Sequence, residues 1–315
     1  MKSYRYADLV LSSSLALPEL PAAGARRSGE AAIAFGVTTS SPPEPEADRW
    51  VDFPVGDSRE APPAVARTEG GFLLRFPAAA DFLISADATR VVCSPHGAQA
   101  AEAIRHLLLD QVLPRVVAHL GRLVLHAGAV TLESATLAIV GTSGVGKSTL
   151  IAGFHRAGFH ALTDDGLIVM VDDTGCTGLA LYPGLRLWPP SIAGLDIDPA
   201  ETVPMDSRSA KRRVRLPAAS APAPRPLIAL FVLTPPPNED EVHDVTIAPL
   251  SARDACVELL RASFQLDIGS PHRAAGHLET AALVARRLPV FTLSYPRDYS
   301  RLPVVREAIL RCLET

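Results

Sequence analysis

The chain has 315 residues, of which 48% are hydrophobic, and its formal net charge is −4. This length predicts about two domains, and the apolar content is sufficient for a sizeable core. Nucleic acid is excluded as the main partner, because the near-neutral balance has no block of like charges and a duplex-binding protein normally presents a basic face.

The cysteines and the apolar segments predict a cytoplasmic protein without a membrane partner. Four cysteines lie far apart without CxxC spacing: Cys93, Cys176, Cys256 and Cys312. That pattern indicates a reducing compartment, with neither a disulfide framework nor a zinc site. The apolar stretch from Leu9 to Leu17 contains three serines. It is shorter than the ~20 residues of a membrane span and lacks the layout of a signal peptide.

Residues 1–97 are predicted to form a β-rich N-terminal accessory domain. The runs YRYADLVL, GFLLRF and TRVVCS have strand composition, and the Pro-rich stretch from Ser41 to Pro45 cannot join a ladder of strands. No cluster of ionisable residues in this part of the sequence suggests chemistry.

Residues 98–120 are predicted to form a helix that connects two domains. Its apolar residues recur at helical spacing and share one face: Ile104, Leu107, Leu108, Val112 and Val116. Pro114 is expected to kink or split this helix, because proline lacks the backbone donor and clashes with the preceding turn.

Residues 121–315 alternate strands with helices, which predicts an α/β fold. The strand-like runs are LVLHAGAV, TLAIVG, FHALT, GLIVMV, GLALYPGLRLW, LIALFVLTP and PVFTLSYP, and a loop rich in Pro and Ala spans 217–226. One helix is predicted to start at Lys147 and to end before Gly158. Ser251 and Asp254 have the spacing of a helix cap, and a final helix carries the stripe Leu302, Val305 and Ile309.

A glycine-rich motif predicts a site for ATP and Mg²⁺. The run Gly141-Thr142-Ser143-Gly144-Val145-Gly146-Lys147-Ser148 matches G-x-x-x-x-G-K-[ST] in full, between a predicted strand and a predicted helix. Glycines let the backbone turn and approach phosphates closely, and successive N–H groups with the helix dipole attract the anion. Lys147 is expected to reach the β- and γ-phosphates and Ser148 to bind Mg²⁺, with Thr149 next to them in the nucleotide site.

Two adjacent carboxylates, Asp164 and Asp165, end the FHALT strand. Neighbouring side chains on a strand point to opposite sides, so the two are expected to have different roles. One can bind the metal while the other takes a proton from an attacking hydroxyl, a contribution of typically ~10²–10⁴-fold. The alternative is an exposed Asp-Asp-Gly turn. His126 lies in an apolar strand, where a histidine is more often a core residue.

The runs LHAGAV, AIVGTSGVGKSTL and GFHALTDDGLIVM resemble, in this order, the catalytic core of the HPr kinase/phosphorylase family. The tracts YPGLRLWPPS and LPVFTLSYPRD are similar to a subgroup of HPr-kinase-like proteins encoded with ribosomally made peptides, including kinases of lasso precursor peptides. The resemblance implies a P-loop kinase core of the HPr kinase-like type. It implies that Asp164 is the general base, that Asp165 is a magnesium ligand and that His126 lies close to the transferred phosphate.

Two departures from the family bear on the substrate. Thr149 stands where the family often has an acidic residue, and no Glu-Ile-Arg-Gly-type signature occurs where true HPr kinases have their phosphorylase segment. We therefore expect neither HPr as the substrate nor phosphorolysis as a second reaction.

Several cations are candidates for contacts to phosphate or substrate. Phosphoryl transfer spreads negative charge over the γ-oxygens, so a cation placed there accelerates it. Arg186 and the run Lys211-Arg212-Arg213 are the main candidates, although each is equally well explained as a solvated loop charge. Arg297 is a weaker candidate. Trp188 could line a peptide groove, but the anchoring of a loop is the favoured interpretation.

The leading functional hypothesis is an ATP-dependent kinase. It would transfer the γ-phosphate to a Ser or Thr hydroxyl of a small peptide or protein, with a lasso precursor peptide among the candidates. The alternatives are a non-catalytic ATP-binding switch or scaffold in a peptide-modifying complex, and a small-molecule kinase. The sequence leaves open whether the chain forms a homo-oligomer.

Overall fold

The computed structural model describes residues 1–24, 30–46, 49–53, 63–205, 209–214, 216, 223–235 and 244–314. The chain divides into two compact units. The first comprises Met1–Arg122, Met205–Ser209 and Phe264–Ala274, and the second comprises Leu123–Pro204, Ala210–Ser263 and Ala275–Thr315. Of the predicted Pro- and Ala-rich loop over 217–226, residues 217–222 lie outside the described residues.

The first unit contains one eight-stranded sheet. Its strands are β1 (Lys2–Tyr6), β2 (Leu9–Ser13), β3 (Ala32–Val37), β4 (Trp50–Asp52), β5 (Ala64–Thr68), β6 (Gly71–Phe76), β7 (Ala80–Ser85) and β8 (Arg90–Pro95). They lie in the order β1-β2-β3-β8-β7-β6-β5-β4. Strand β3 is parallel to both of its neighbours, and its Phe35 packs fully buried, as do Leu73 and Phe82.

The helical stretch of the first unit contains a π-helical turn just before Pro114, so it is interrupted next to the residue that was expected to kink or split it. Helix α1 (Ala101–Leu107) runs into a π-helical turn (Leu108–Val112), and helix α2 (Leu113–His119) follows with Pro114 in its first turn. Because Pro114 has no N–H, the carbonyl four residues earlier loses its donor, and the wider π-type turn accommodates this loss. The stretch lies within the first unit.

The second unit is built on a nine-stranded mixed sheet. The strands of this unit are β9 (Leu123–Leu125), β10 (Ala127–Leu132), β11 (Ala135–Val140), β12 (His160–Thr163), β13 (Leu167–Asp172), β14 (Gly175–Ala180), β15 (Arg186–Leu187), β16 (Thr202–Pro204), β17 (Arg212–Val214), β18 (Arg225–Leu233), β19 (Thr246–Pro249) and β20 (Val290–Ser294). The large sheet has the order β12-β10-β11-β18-β14-β13-β9, with β20 beside β18 and β19 beside β20. Strands β15, β17 and β16 form a separate antiparallel sheet.

Helices cover both faces of the large sheet, which confirms the predicted α/β character. The remaining helices are α3 (Lys147–Arg156), α4 (Pro189–Gly194), α5 (Ala252–Arg261), α6 (Pro271–Arg287) and α7 (Leu302–Glu314). Phe154 of α3 and Val305 of α7 pack in one apolar cluster with Phe231 of β18. Leu259 of α5 and Val284 of α6 pack in the other, against the opposite face. No helix within the described ranges is both long and apolar enough to cross a lipid bilayer.

The central strands of the large sheet run parallel to one another and are buried on both faces. Strand β18 is parallel to both β11 and β20, and its residues Ala229–Leu233 are all buried. A continuous apolar run of this kind suits a strand that is covered by helices on each side. The carboxyl ends of β11, β18 and β20 therefore meet at one edge, where ligands of α/β sheets usually bind.

Two strands predicted as continuous are broken in the structure. The run LVLHAGAV is divided at His126, so that β9 pairs with β13 while β10 pairs with β11 and β12. The run GLALYPGLRLW is divided around Pro183, and its second part becomes β15 of the small sheet. Both predictions of one continuous strand were wrong, because the two parts of each run pair with different strands.

The predicted cap of α5 is confirmed and provides a stability test. Ser251 Oγ accepts the Asp254 N–H at 3.1 Å and donates to the Asp254 carboxylate at 2.7 Å. We expect Ser251→Ala to lower the free energy of unfolding by about 1 kcal/mol, measured as a shift of the urea midpoint. Ser41→Ala, in an exposed loop, is the control, and equal midpoints for the two variants would contradict the prediction.

Candidate active site

The glycine loop (Gly141–Ser148) joins β11 to α3 at the carboxyl edge of the sheet. Gly141, Gly144 and Gly146 have φ values of +153°, +79° and +103°, a region that side chains rarely adopt. A Cβ on Gly141 would also lie 2.7 Å from the carbonyl oxygen of Leu233. The loop thus requires glycine at 141 for both its conformation and its packing.

The first turn of α3 is open to an anion. Gly146 is its N-cap residue and supplies no capping side chain, and the first amides of any helix have no intrahelical acceptor. The N–H groups of Lys147, Ser148 and Thr149 therefore suit a phosphate at this end of the helix. The Thr149 hydroxyl lies 2.9 Å from that of Ser191, so Thr149 contributes to such a site through its backbone.

The ammonium of Lys147 lies inside the glycine loop. The residue is 5% exposed, and Nζ donates to the carbonyl oxygens of Gly141 at 2.7 Å and Thr142 at 3.2 Å. Burial lowers the pKa of Lys147 to about 8, while the charges of Asp165 and Asp164 oppose that shift. Both carboxylates therefore act on the ammonium, which stays mainly protonated at neutral pH.

The paired carboxylates after β12 are tied together by Arg186. Asp164 is 3% exposed and Arg186 is buried. Asp164 Oδ2 accepts the backbone N–H of Arg186 at 2.7 Å, and its Oδ1 lies 3.4 Å from Arg186 Nη2. The same Nη2 donates to Asp165 Oδ2. Asp164 and Asp165 are therefore not in an exposed turn, and Arg186 is not a solvated loop charge. Both of these alternative interpretations were wrong.

Asp165 is the more accessible carboxylate of the pair, with a side chain that is 21% exposed. Burial acts to raise its pKa, but the charge of Arg186 holds the pKa well below the usual range for aspartate, with smaller contributions from His126, when that ring is protonated at acidic pH, and from Lys211. Asp165 is therefore ionised at neutral pH. Its oxygens and the hydroxyl of Ser148 are the donor type that Mg²⁺ prefers.

The donor set fits magnesium better than a metal held by protein ligands alone. Within the described parts of the chain, no group of three or more His, Cys, Asp or Glu residues is arranged to bind a metal ion. Magnesium usually takes one or two carboxylates together with phosphate oxygens. The residues that could hold it here are Ser148 and Asp165.

His126 lies at the break between β9 and β10, beside the carboxylates. Its backbone N–H donates to the carbonyl of Ala262 at 2.7 Å. This bond fixes the backbone at the point where β9 ends and β10 has not yet begun. Its Nδ1 lies 3.1 Å from Asp165 Oδ1, and the side chain is 31% exposed. The interpretation as a simple core residue is therefore wrong. Burial is the main cause that lowers the pKa of His126 to about 4, so the imidazole is neutral at pH 7.

The register of the small sheet separates Arg213 from Arg212. Strand β15 pairs with β17 so that Arg186 faces Arg213 and Leu187 faces Arg212. Directly paired residues share a face, and successive residues alternate between faces. Arg213 is thus on the face of Arg186, whereas Arg212 is on the face of the buried Leu187. There Arg212 Nε donates to the Thr202 hydroxyl at 2.6 Å, so Arg212 is not brought to the carboxylates.

Arg297, a weaker candidate in the sequence, contacts the glycine loop. Its Nη1 donates to the carbonyl of Gly144 at 3.2 Å, which places a guanidinium against the glycine loop. Arg297 follows β20, and the loops after parallel strands β11 and β20 leave the same edge of the sheet. That shared edge is the signal from which its position could have been predicted.

Comparison with known proteins adds little to this geometry. No protein-family model and no curated protein matches the chain. Among solved structures, the chain is similar to the Hpr(Ser) kinase/phosphatase from Coxiella burnetii, at 12% sequence identity and a TM-score of 0.33. The similarity covers 61% of this chain and 97% of that chain.

Proposed function

We propose that the chain is an ATP-dependent kinase of the HPr kinase-like type, which transfers the γ-phosphate to a Ser or Thr hydroxyl of a small peptide or protein. One observation carries this proposal: β11, which leads into the glycine loop, and β12, which the carboxylates Asp164 and Asp165 follow, both pair antiparallel with β10, so the loop and the carboxylates lie at the same edge of the sheet. The charges of both carboxylates also act on the buried ammonium of Lys147. The sequence resemblance favours a ribosomally made precursor peptide, of the lasso type, as the acceptor.

Each of the chain's own groups would have a separate role in binding and in the transfer step. The open amides of α3 and the ammonium of Lys147 bind the β- and γ-phosphate oxygens, and Lys147 exchanges its bonds to loop carbonyls for bonds to phosphate. Ser148 and Asp165 would hold a magnesium ion, which would neutralise charge on the phosphates. Asp164 takes the proton of the acceptor hydroxyl. His126, which is neutral at pH 7, lies beside Asp165 without adding charge there.

A second candidate function follows from the ion pair of Arg186. Both oxygens of Asp164 face donors of Arg186, which stabilise the ionised carboxylate and make it a weaker base. If this ion pair makes Asp164 too weak to take the proton of a hydroxyl, the site binds nucleotide without chemistry. The chain would then be an ATP-dependent switch or scaffold in a peptide-modifying complex.

Intact-mass analysis distinguishes the two functions. Wild-type protein is incubated with Mg·ATP and a pool of synthetic peptides that contain Ser or Thr at varied positions. We expect peptides to gain the mass of one phosphate, and Asp164→Asn to lower the rate by ~10²–10⁴-fold, because it removes the general base. Asp173→Asn, an exposed carboxylate in the β13–β14 turn, is the matched control.

The opposite result would favour the switch. If wild-type protein binds ATP but no peptide gains phosphate, with Asp164→Asn and Asp173→Asn indistinguishable from it, the kinase proposal is wrong.

A further inference from the structure

Lys211 lies on the same face of the small sheet as Arg186, the residue that forms ion pairs with Asp164 and Asp165. Continuing the register of β15 and β17 by one residue places Lys211 opposite Trp188, on the face of Arg186 and Arg213. The contact confirms this placement, since Lys211 Nζ lies 5.4 Å from the centroid of the Trp188 ring. Trp188 is 49% exposed, so its ring is accessible at the surface of the small sheet.

The strand register brings Lys211 toward the carboxylates. Lys211 shares a face of the small sheet with Arg186, and Arg186 Nη2 donates to Asp165 Oδ2. A second cation on this face favours a ligand with several negative charges.

The lysine content of the chain points to the same residue. Lysine and arginine together number 30, but only Lys2, Lys147 and Lys211 are lysines. In a chain that uses arginine almost everywhere else, two of the three lysines lie at this site. Lysine presents a compact charge on a flexible stem, which suits a group that must move onto its ligand.

We propose that Lys211 contacts the γ-phosphoryl group of the bound nucleotide and that Trp188 holds its ammonium at the rim of the site beforehand. This inference rests on the proposed function. A cation–π contact at an exposed site is weaker than a charge-assisted hydrogen bond to phosphate, so Lys211 can exchange one for the other. Arg186 is less suited to the same task, because both carboxylates hold it.

In the transfer step Lys211 would stabilise charge without exchanging a proton. The bond between the γ-phosphorus and the acceptor oxygen forms while the bond to the β–γ bridging oxygen breaks, and ADP leaves. The acceptor proton goes to Asp164. Lys211 stays protonated and donates to the γ-oxygens, on which negative charge is spread in the transition state.

Calorimetric titration with two nucleotides tests this contact without knowledge of the acceptor. We expect wild-type protein to bind Mg·AMP-PNP, which has a γ-phosphoryl group, more tightly than Mg·ADP. Lys211→Met should weaken binding of Mg·AMP-PNP by about tenfold, which is the loss of one charged hydrogen bond, and should leave binding of Mg·ADP unchanged. Lys211→Arg should retain most of the preference, and Lys2→Met, in β1 of the first unit, is the control.

Trp188 supplies an independent spectroscopic signature. The chain has two tryptophans, so Trp50→Phe leaves Trp188 as the only one. We expect its emission to change on addition of Mg·AMP-PNP but not of Mg·ADP, because only the γ-phosphoryl group draws Lys211 away from the indole.

The outcomes separate this inference from the proposed function. If wild-type protein binds neither nucleotide, both fail together. If it binds both nucleotides equally well, or if Lys211→Met keeps the wild-type preference for Mg·AMP-PNP, only the role of Lys211 is overturned.

Discussion

Replacement of Lys147 by alanine is expected to weaken the binding of Mg·ATP about 100-fold, since charged hydrogen bonds contribute ~1.5–3 kcal/mol each and tenfold in affinity is about 1.4 kcal/mol. Asp164→Asn is expected to change the affinity less than about threefold, because a general base acts mainly in the transition state. Under the proposed function, the lysine would instead contact phosphates that are already present in the ground state. Isothermal titration calorimetry with Mg·ATP measures both affinities.

Two controls separate loss of binding from loss of structure. Thermal unfolding followed by circular dichroism shows whether Lys147→Ala keeps the fold, since its ammonium is buried among loop carbonyls. Lys2→Ala removes a lysine from the first unit and should leave the affinity unchanged. Equal loss of affinity in Lys147→Ala and Asp164→Asn would show that Asp164 contributes to ground-state binding as strongly as the lysine does.

Replacement of Arg186 by methionine is expected to lower the free energy of unfolding by about 3–5 kcal/mol, the usual result of removing one partner of a buried ion pair. Methionine replaces the apolar stem of arginine but carries no charge. It would leave Asp164 and Asp165 next to each other without the guanidinium that now contacts both. Denaturation in urea, at pH 7, measures the loss.

Arg212→Met is the matched control for Arg186→Met. Arg212 is in the same small sheet, directly opposite Leu187, and its Nε donates to Thr202. Its removal leaves no carboxylate unpaired, so the expected loss is about 1 kcal/mol, the net worth of one hydrogen bond. Equal losses for the two variants would show that the carboxylates do not need Arg186.

The loss caused by Arg186→Met should also depend on pH. The pKa of Asp165 is lowered in the folded protein, so its ion pair stabilises the fold fully above the pKa of an unfolded aspartate, about 3.9. That stability is lost as the pH falls through the lowered pKa. In the variant the two carboxylates protonate at higher pH and thereby relieve their repulsion. The difference between wild type and variant should therefore be largest at neutral pH and narrow toward pH 3, and a constant difference would contradict this account.

Features governed by a few neighbouring residues could be predicted from the sequence. The conformation of the glycine loop depends on which residues tolerate positive φ, and these are Gly141, Gly144 and Gly146. The interruption next to Pro114 follows from one missing donor, and the cap at Ser251 from one hydroxyl. In each case the physical cause acts within about one helical turn.

Elements whose form depends on distant partners could not be predicted in the same way. Helix α6 was not expected, because its buried residues, Ala281, Val284 and Ala285, are mostly small and its apolar stripe is weak. The break at His126 was not expected either, since the sequence on both sides is equally apolar. Only the pairing of β9 and β10 with different strands distinguishes the two halves.

The sequence by itself determined the glycine-rich motif, the α/β character of the second unit and the candidate carboxylates, because these depend on local backbone geometry and hydrophobic pattern. Only the tertiary structure decided which charges belong to the site. Arg186 and Arg212 are alike in sequence, yet a register of two strands buries one against Asp164 and Asp165 and turns the other toward Thr202. A charge becomes functional when folding brings an opposite charge within a few ångströms and excludes water from both, and no sequence pattern records that distance.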